Sequence, residues 1–190
     1  MANGAHGAAP TVNDFVARLL TLTRGSFETA VDGLDDEQLW ARPAPDANSI
    51  AWLAWHYSRW MDGMTAKASG EEEAWTAGGW HDRFGMPADA NGYGDTPEQV
   101  GAFRPSRALL LGYVDSAHEA AIRRVEAFTP SDLVRPFRYQ ASSAERPVWQ
   151  SLANTAMDFT QHVGQIAYVR GLLSGYGWRQ GRLTPPSTAP

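Results

Sequence analysis

Asp158 and His162 lie four residues apart in a stretch whose apolar residues recur at spacings of three and four. On a helix that spacing stacks a carboxylate and an imidazole on one face, where both can address a single ion. Asn154 and Gln165 continue the stripe, completing i, i+4, i+8 and i+11, and are candidates to orient a ligand or a bound water. Between Val148 and Val169, Asp158 is the only formal charge, so the helix reads as buried nearly all round. A lone buried carboxylate is costly and needs a partner. The ordinary alternative is that the stripe is a wet helix face, since Asp-x-x-x-His in isolation is a weak motif. A third ligand must come from another helix.

His56 is the candidate. It shares a stripe with Trp52, Leu53, Trp60 and Gly63 and therefore faces the core. A histidine so placed is more often a hydrogen-bonded core residue, but here it would meet the Asp158/His162 pair. Two neutral imidazoles and a carboxylate suit a divalent cation, zinc first, with nickel or ferrous iron as alternatives. Three protein ligands leave at least one position for water or substrate. Trp52, Trp55, Trp60, Trp75 and Trp80 concentrate near His56, as core bulk by default or as walls of an apolar pocket. Arg59, one turn beyond His56, is a candidate anchor for an anionic substrate, with a surface salt bridge as the plainer reading. His81 reads as a pocket-mouth residue or an ordinary loop residue. His118, on the edge of an apolar stripe, reads as a surface histidine or one supporting a ligand.

These residues need a scaffold, and four segments carry helical periodicity: about 12–34, 50–67, 107–128 and 148–173. Thr11 or Asn13 can cap the first, and a helical turn follows at 35–39. Ser49 caps the second, which stops at Ser69-Gly70; Thr129-Pro130 ends the third; Pro147 opens the fourth, closed by Ser174-Gly175. Residues 70–106 are rich in Gly, Trp and Asp and read as one long crossover between the second and third helices. Phe137-Arg-Tyr139 is the best strand candidate, and a weak one. The expected architecture is an all-α four-helix bundle in a single domain spanning 1–190, with tails at about 1–10 and 180–190 read as flexible. His6, in the first tail, is set aside.

Composition narrows the function. The chain has 190 residues, 43% apolar and 19% charged, enough to bury a core. A net charge of −5 without a basic cluster argues against a nucleic-acid partner. No apolar run approaches a membrane span and the opening residues do not pattern as a signal peptide, so the expectation is cytoplasmic. With no cysteine, any thiol chemistry needs a thiol from outside. No phosphate loop, nucleotide fingerprint, HExxH pattern or serine-nucleophile motif is present.

Ser49-Ile-Ala-Trp-Leu-Ala-Trp-His56-Tyr-Ser-Arg-Trp60 and Asp158-Phe-Thr-Gln-His162-Val-Gly-Gln165-Ile-Ala-Tyr-Val-Arg-Gly171 resemble the two signatures of DinB-like proteins. That superfamily includes mycothiol-dependent maleylpyruvate isomerases and bacillithiol transferases. The resemblance runs from the first helix to Gly177-Trp178. It implies an up-down-down-up bundle, often dimeric, with a divalent metal near one end. His56 matches the first family ligand and His162 the last. Asp158 takes the middle position, where many members carry His and the isomerase branch carries Glu, so its carboxylate is one methylene shorter than Glu. The resemblance further implies a small-molecule substrate, a homodimer, and a metal-dependent S-transferase or isomerase using an external low-molecular-weight thiol. A metal-dependent hydrolase and a non-catalytic metal-binding stress-response protein stand as the alternatives.

Overall fold

The computed structural model describes residues 9–140, 143–175 and 177–178. Most of both tails, and the expectations about them, fall outside the described residues. In chain order the elements are α1 (Val12–Val31), α2 (Asp36–Trp40), α3 (Ile50–Ser69), α4 (Ala74–Ala77), α5 (Trp80–Phe84), α6 (Pro97–Ala102), α7 (Arg107–Ala127), α8 (Pro130–Val134), β1 (Pro136–Phe137), β2 (Arg146–Pro147) and α9 (Val148–Ser174). The four long helices are α1, α3, α7 and α9.

Local chemistry sets most boundaries. Thr11 with Asp14, Asp35 with Gln38, Thr96 with Gln99 and Thr129 with Asp132 form reciprocal capping boxes that satisfy the first free amides of α1, α2, α6 and α8. Ser49 and Ser106 cap α3 and α7 through their hydroxyls. Gly70 ends α3 in the left-handed conformation (φ 76°), which only glycine adopts without cost. The first helix stops at Val31, short of the expected Leu34, because the chain turns through Gly33 at φ 69°.

Residue pairings give the helix directions. Asn13 at the start of α1 donates to the Phe128 carbonyl beyond α7, and Arg24 reaches Asp115, so α1 and α7 are antiparallel. Trp55 meets Phe103 just before α7, Tyr57 meets His118, and Arg124 reaches Thr65, so α3 and α7 run together. His56 faces His162, while Trp60 and Met64 share a cavity wall with Asn154 and Met157, so α9 runs against α3. The order is up-down-down-up. α1 and α3 sit diagonally, each packed on α7 and α9. Among the described residues no helix is long and apolar enough to cross a membrane.

The structure departs from several expectations. The crossover is not one loop: α4, α5 and α6 punctuate it, and the indoles of Trp75 and Trp80 pack into the core. The helix enveloped on nearly all sides is α3, with sixteen of its twenty residues buried, because α7, α9 and the crossover surround it. α9 instead leaves Met157, Tyr168 and Leu172 exposed; its lack of charge marks an apolar outer face, not burial. The weak strand candidate appears only as the two-residue β1, paired antiparallel with β2 (Pro136 with Pro147, Phe137 with Arg146).

His118 is fully buried, which overturns its reading as a surface histidine. Its Nε2 lies 3.2 Å from the Tyr57 hydroxyl, and Nδ1 has no hydrogen-bond partner among the described residues. Burial, with a smaller contribution from Arg24, pushes its pKa down to about 3. The unfolded chain, with an ordinary histidine pKa of about 6.5, then binds the proton the native state refuses. This contribution to stability is complete above about pH 6.5 and is lost as pH falls toward 3, at up to ~1.4 kcal/mol per pH unit. Urea unfolding between pH 7 and 5 should show that slope, and His118→Leu should flatten it. An unchanged slope in the variant would assign the acid sensitivity elsewhere.

Candidate metal centre

α3 and α9 bring His56, Asp158 and His162 together. The two imidazoles meet edge to face with centroids 5.2 Å apart, and His162 Nε2 lies 3.7 Å from Asp158 Oδ1. Among the described residues no group of three or more His, Cys, Asp or Glu side chains stands in an ion-holding arrangement. The three side chains are neighbours, not yet closed on one point.

The hydrogen bonds around the rings settle which nitrogens are available. His56 Nδ1 lies 2.5 Å from the Asn91 carbonyl oxygen, which can only accept, so Nδ1 carries the proton and Nε2 is bare. His162 Nδ1 lies 2.8 Å from Gln165 Oε1, which likewise leaves Nε2 as the free lone pair. An imidazole held at Nδ1 by an oxygen and free at Nε2 is the arrangement of a metal-ligating histidine. Burial lowers the pKa of His56; the Asn91 hydrogen bond opposes this, His162 adds to it, and Asp158 and Asp95 oppose it. His56 is therefore neutral at pH 7, the form that donates to a cation. Asp158 and His162 are both half-buried. Two imidazole nitrogens and one carboxylate are a donor set that fits a divalent cation.

The crossover supplies what the sequence reading missed. The turn at Asn91–Asp95 sits over the indole–imidazole stack: Trp52 lies flat on His56 (4.6 Å, 12°) and donates Nε1–H to Asp95 Oδ2 at 2.8 Å. Gly92, at φ 82°, is pressed so close that a Cβ would lie 2.8 Å from His56 Nδ1 and 2.9 Å from both Trp52 and Trp55. Asn-Gly marks a turn in any sequence; nothing in its pattern says that it closes on His56. Gly92→Ala should cost about 1–3 kcal/mol of stability and release the Asn91 carbonyl from His56. Nitrogen chemical shifts of the His56 ring should then report mixed tautomers. A single Nδ1–H tautomer in that variant would show that the turn does not set it.

The other candidates divide. Trp52 supports His56 as described. Gln165 is exposed and holds His162; Asn154 is exposed and lines a cavity beside Asp158, together with the half-buried Trp60. Arg59 is 3% exposed: its Nε donates to the Ala90 carbonyl, Nη1 pairs with Glu73 at 2.7 Å, and the guanidinium lies over Trp75. It ties the crossover to α3, so neither a surface salt bridge nor a free substrate anchor describes it. His81 lies on α5 with its Nδ1 3.1 Å from the Asp82 carboxylate. Among the described residues, no hydrogen bond, ion pair or ring contact joins it to His56.

The family model of the DinB superfamily matches residues 19–166, which run from within α1 through most of α9 and include all three candidate ligands. The chain belongs to the DinB superfamily. No curated protein matches it. Among solved structures it is similar to the crystal structure of the conserved protein of a locus from Enterococcus faecalis, at 21% identity and a TM-score of 0.76. The match covers 87% of this chain and 98% of that one. That likeness is one of fold. Within the DinB bundle, the candidate centre sits where α3, α9 and the crossover meet.

Proposed function

We propose that this DinB protein holds a divalent cation, zinc before nickel or iron, on His56 Nε2, Asp158 and His162 Nε2. We further propose that it acts as a metal-dependent S-transferase or isomerase with an external thiol of the mycothiol or bacillithiol class. The observation that carries the reading is the matched pair of Nδ1-anchored imidazoles beside a carboxylate. When bound, the cation stabilises a thiolate at neutral pH. The chain supplies the rest. Asn91 and Gln165 keep both rings in the donating tautomer. Trp52 and Gly92 fix the plane of His56 and shield it from water on the crossover side. The chain contains no cysteine, so the thiol is a co-substrate. X-ray absorption on zinc-loaded protein should show a new metal–sulfur distance near ~2.3 Å when such a thiol is added. If no sulfur distance appears with several biological thiols, the transferase reading fails. Metal-dependent ester or amide cleavage in the same protein would support the hydrolase alternative.

The partner in this reading is a second copy of the chain. α1 exposes Val12 and Phe15 on a surface shared with the exposed Trp149 and Met157 of α9, and Leu22, Tyr168 and Leu172 are also exposed on these two helices. Asp158 is the only formal charge on α9 from Trp149 to Val169, so pairing this face with its own copy sets few like charges against each other. Sedimentation equilibrium should show a dimer at micromolar concentration, and Met157→Glu should convert it to a monomer. A monomeric wild type at all such concentrations would dispose of this interface.

A further inference from the structure

Beside the candidate centre lies a cavity of about 330 Å³ between α3, the β1–β2 pair and α9. Its size is at the small end of ligand pockets, about 300–1,000 Å³. Trp60 and Tyr139 form an aromatic corner, with ring centroids 4.8 Å apart at 67°, and Met64 adds a soft apolar surface. Burial pushes the Tyr139 phenol up to about 12, so it stays protonated and serves as a neutral wall. Asn154 and Asp158 line the cavity on α9, and Arg146 of β2 lines it at the strand that leads into α9. Arg146 pairs with Phe137 through its backbone, but among the described residues no hydrogen bond or ion pair engages its side chain. The neighbouring arginines differ: Arg59 and Arg124 are tied into buried pairs, and Arg135 donates to the Ala68 carbonyl.

We propose that this cavity is the electrophile subsite of the centre and takes a compact, planar, apolar carboxylate, anchored by the Arg146 guanidinium. The inference rests on the metal-centre reading for its chemistry, but not for its binding. A flat unsaturated or aromatic body fits the Trp60–Tyr139–Met64 corner, which offers area and few hydrogen bonds. A carboxylate is the group that Arg146 recognises in a two-pronged, charge-assisted contact. Arg146 is the only cationic side chain among the described residues that line the cavity, and Asp158, ten residues into α9 and so about 15 Å along its axis from Val148, is engaged by the cation in the proposed centre. The anionic end therefore points to Arg146, and the uncharged reactive end points toward Asp158 and His162. The same carboxylate chemistry exists on aliphatic thiol co-substrates, but the aromatic corner favours the planar source.

The test uses the full-length protein, with and without zinc, and weak probe ligands followed by ligand-observed NMR titration. Benzoate should bind at least about tenfold more tightly than benzamide, with or without the metal. Arg146→Gln should bring that ratio close to one, and Arg146→Lys should restore part of it. Arg146 is exposed, and an unchanged far-ultraviolet circular dichroism spectrum will show that the variants fold. Equal binding of benzoate and benzamide to the wild type would overturn the proposal, as would a preference that survives Arg146→Gln. A preference seen only with zinc would place the carboxylate on the ion, overturning this subsite while leaving the metal centre standing. N-Acetylcysteine outcompeting benzoate in an Arg146-dependent way would assign the anchor to the thiol and overturn the planar class. Benzoate selectivity as expected in a protein that takes up no zinc would instead sink the metal reading alone.

Discussion

Replacing His56 or His162 with alanine is expected to lower zinc affinity on the order of 10²–10³-fold, because each removes one of three donors and leaves a site that cannot close. Asp158→Asn, which keeps an oxygen donor and loses the charge, should cost less. Gln165→Ala should cost roughly tenfold, since it frees the His162 ring without removing a ligand. The measurement is competition against a chromophoric chelator, together with elemental analysis of protein purified without a metal-affinity tag. If the triple alanine variant retains the metal content of the wild type, the ion sits elsewhere. The graded order matters as much as the size. A purely structural role for His162 would make Gln165→Ala silent in zinc affinity.

The largest stability effect is expected at Asp62. Its carboxylate is completely buried, accepts the backbone amides of Ala74 and Trp75 at the start of α4 at 2.9 Å each, and pairs with Arg124 Nη1 at 2.8 Å. Tyr113 donates its hydroxyl to the same carboxylate at 3.4 Å, and Arg59 stands 3.8 Å away. Arg124, only 2% exposed, also donates to the Glu72 carbonyl. Asp62→Ala leaves a guanidinium and two amides buried without their acceptor, at a cost of about 3–5 kcal/mol. Arg124→Met should cost a similar amount, and the double variant Asp62→Leu/Arg124→Met distinctly less than the sum, because neither charge is then stranded. Urea unfolding of the three variants measures this. A single-variant cost below about 1 kcal/mol would mean that water reaches the pair. The pair also bears on the candidate centre. It anchors the start of the crossover, whose later residues Asn91 and Gly92 close on His56, so Asp62→Ala should loosen the His56 ring as well as the bundle.

What the sequence determined by itself is the part of this protein governed by short-range chemistry. Helix spans follow from apolar spacing and from caps within three residues of each boundary: α3 and α9 begin where Ser49 and Pro147 predict, and α7 begins where its apolar periodicity does, with Ser106 as the cap that the structure adds. The pairing of His56 with Asp158 and His162 was legible because each lies on a periodic helix in a signature of the superfamily. What only the tertiary structure decided involves residues far apart in the chain, whose proximity no local pattern encodes. An uncharged helix looks the same whether it is enveloped or waits with an apolar outer face, and α9 proved to be the second. Arg59, Asp62 and Arg124 carry charges that usually belong at a surface, yet their pairing lets α3 and α7 keep them inside. His118 is buried because the helix that seemed to end its stripe at an edge is covered there by Tyr57 of α3. The nitrogen that His56 offers is chosen by a carbonyl thirty-five residues away. Spacing can place a histidine on a helix face, but its tautomer belongs to whichever oxygen the folded chain brings to Nδ1.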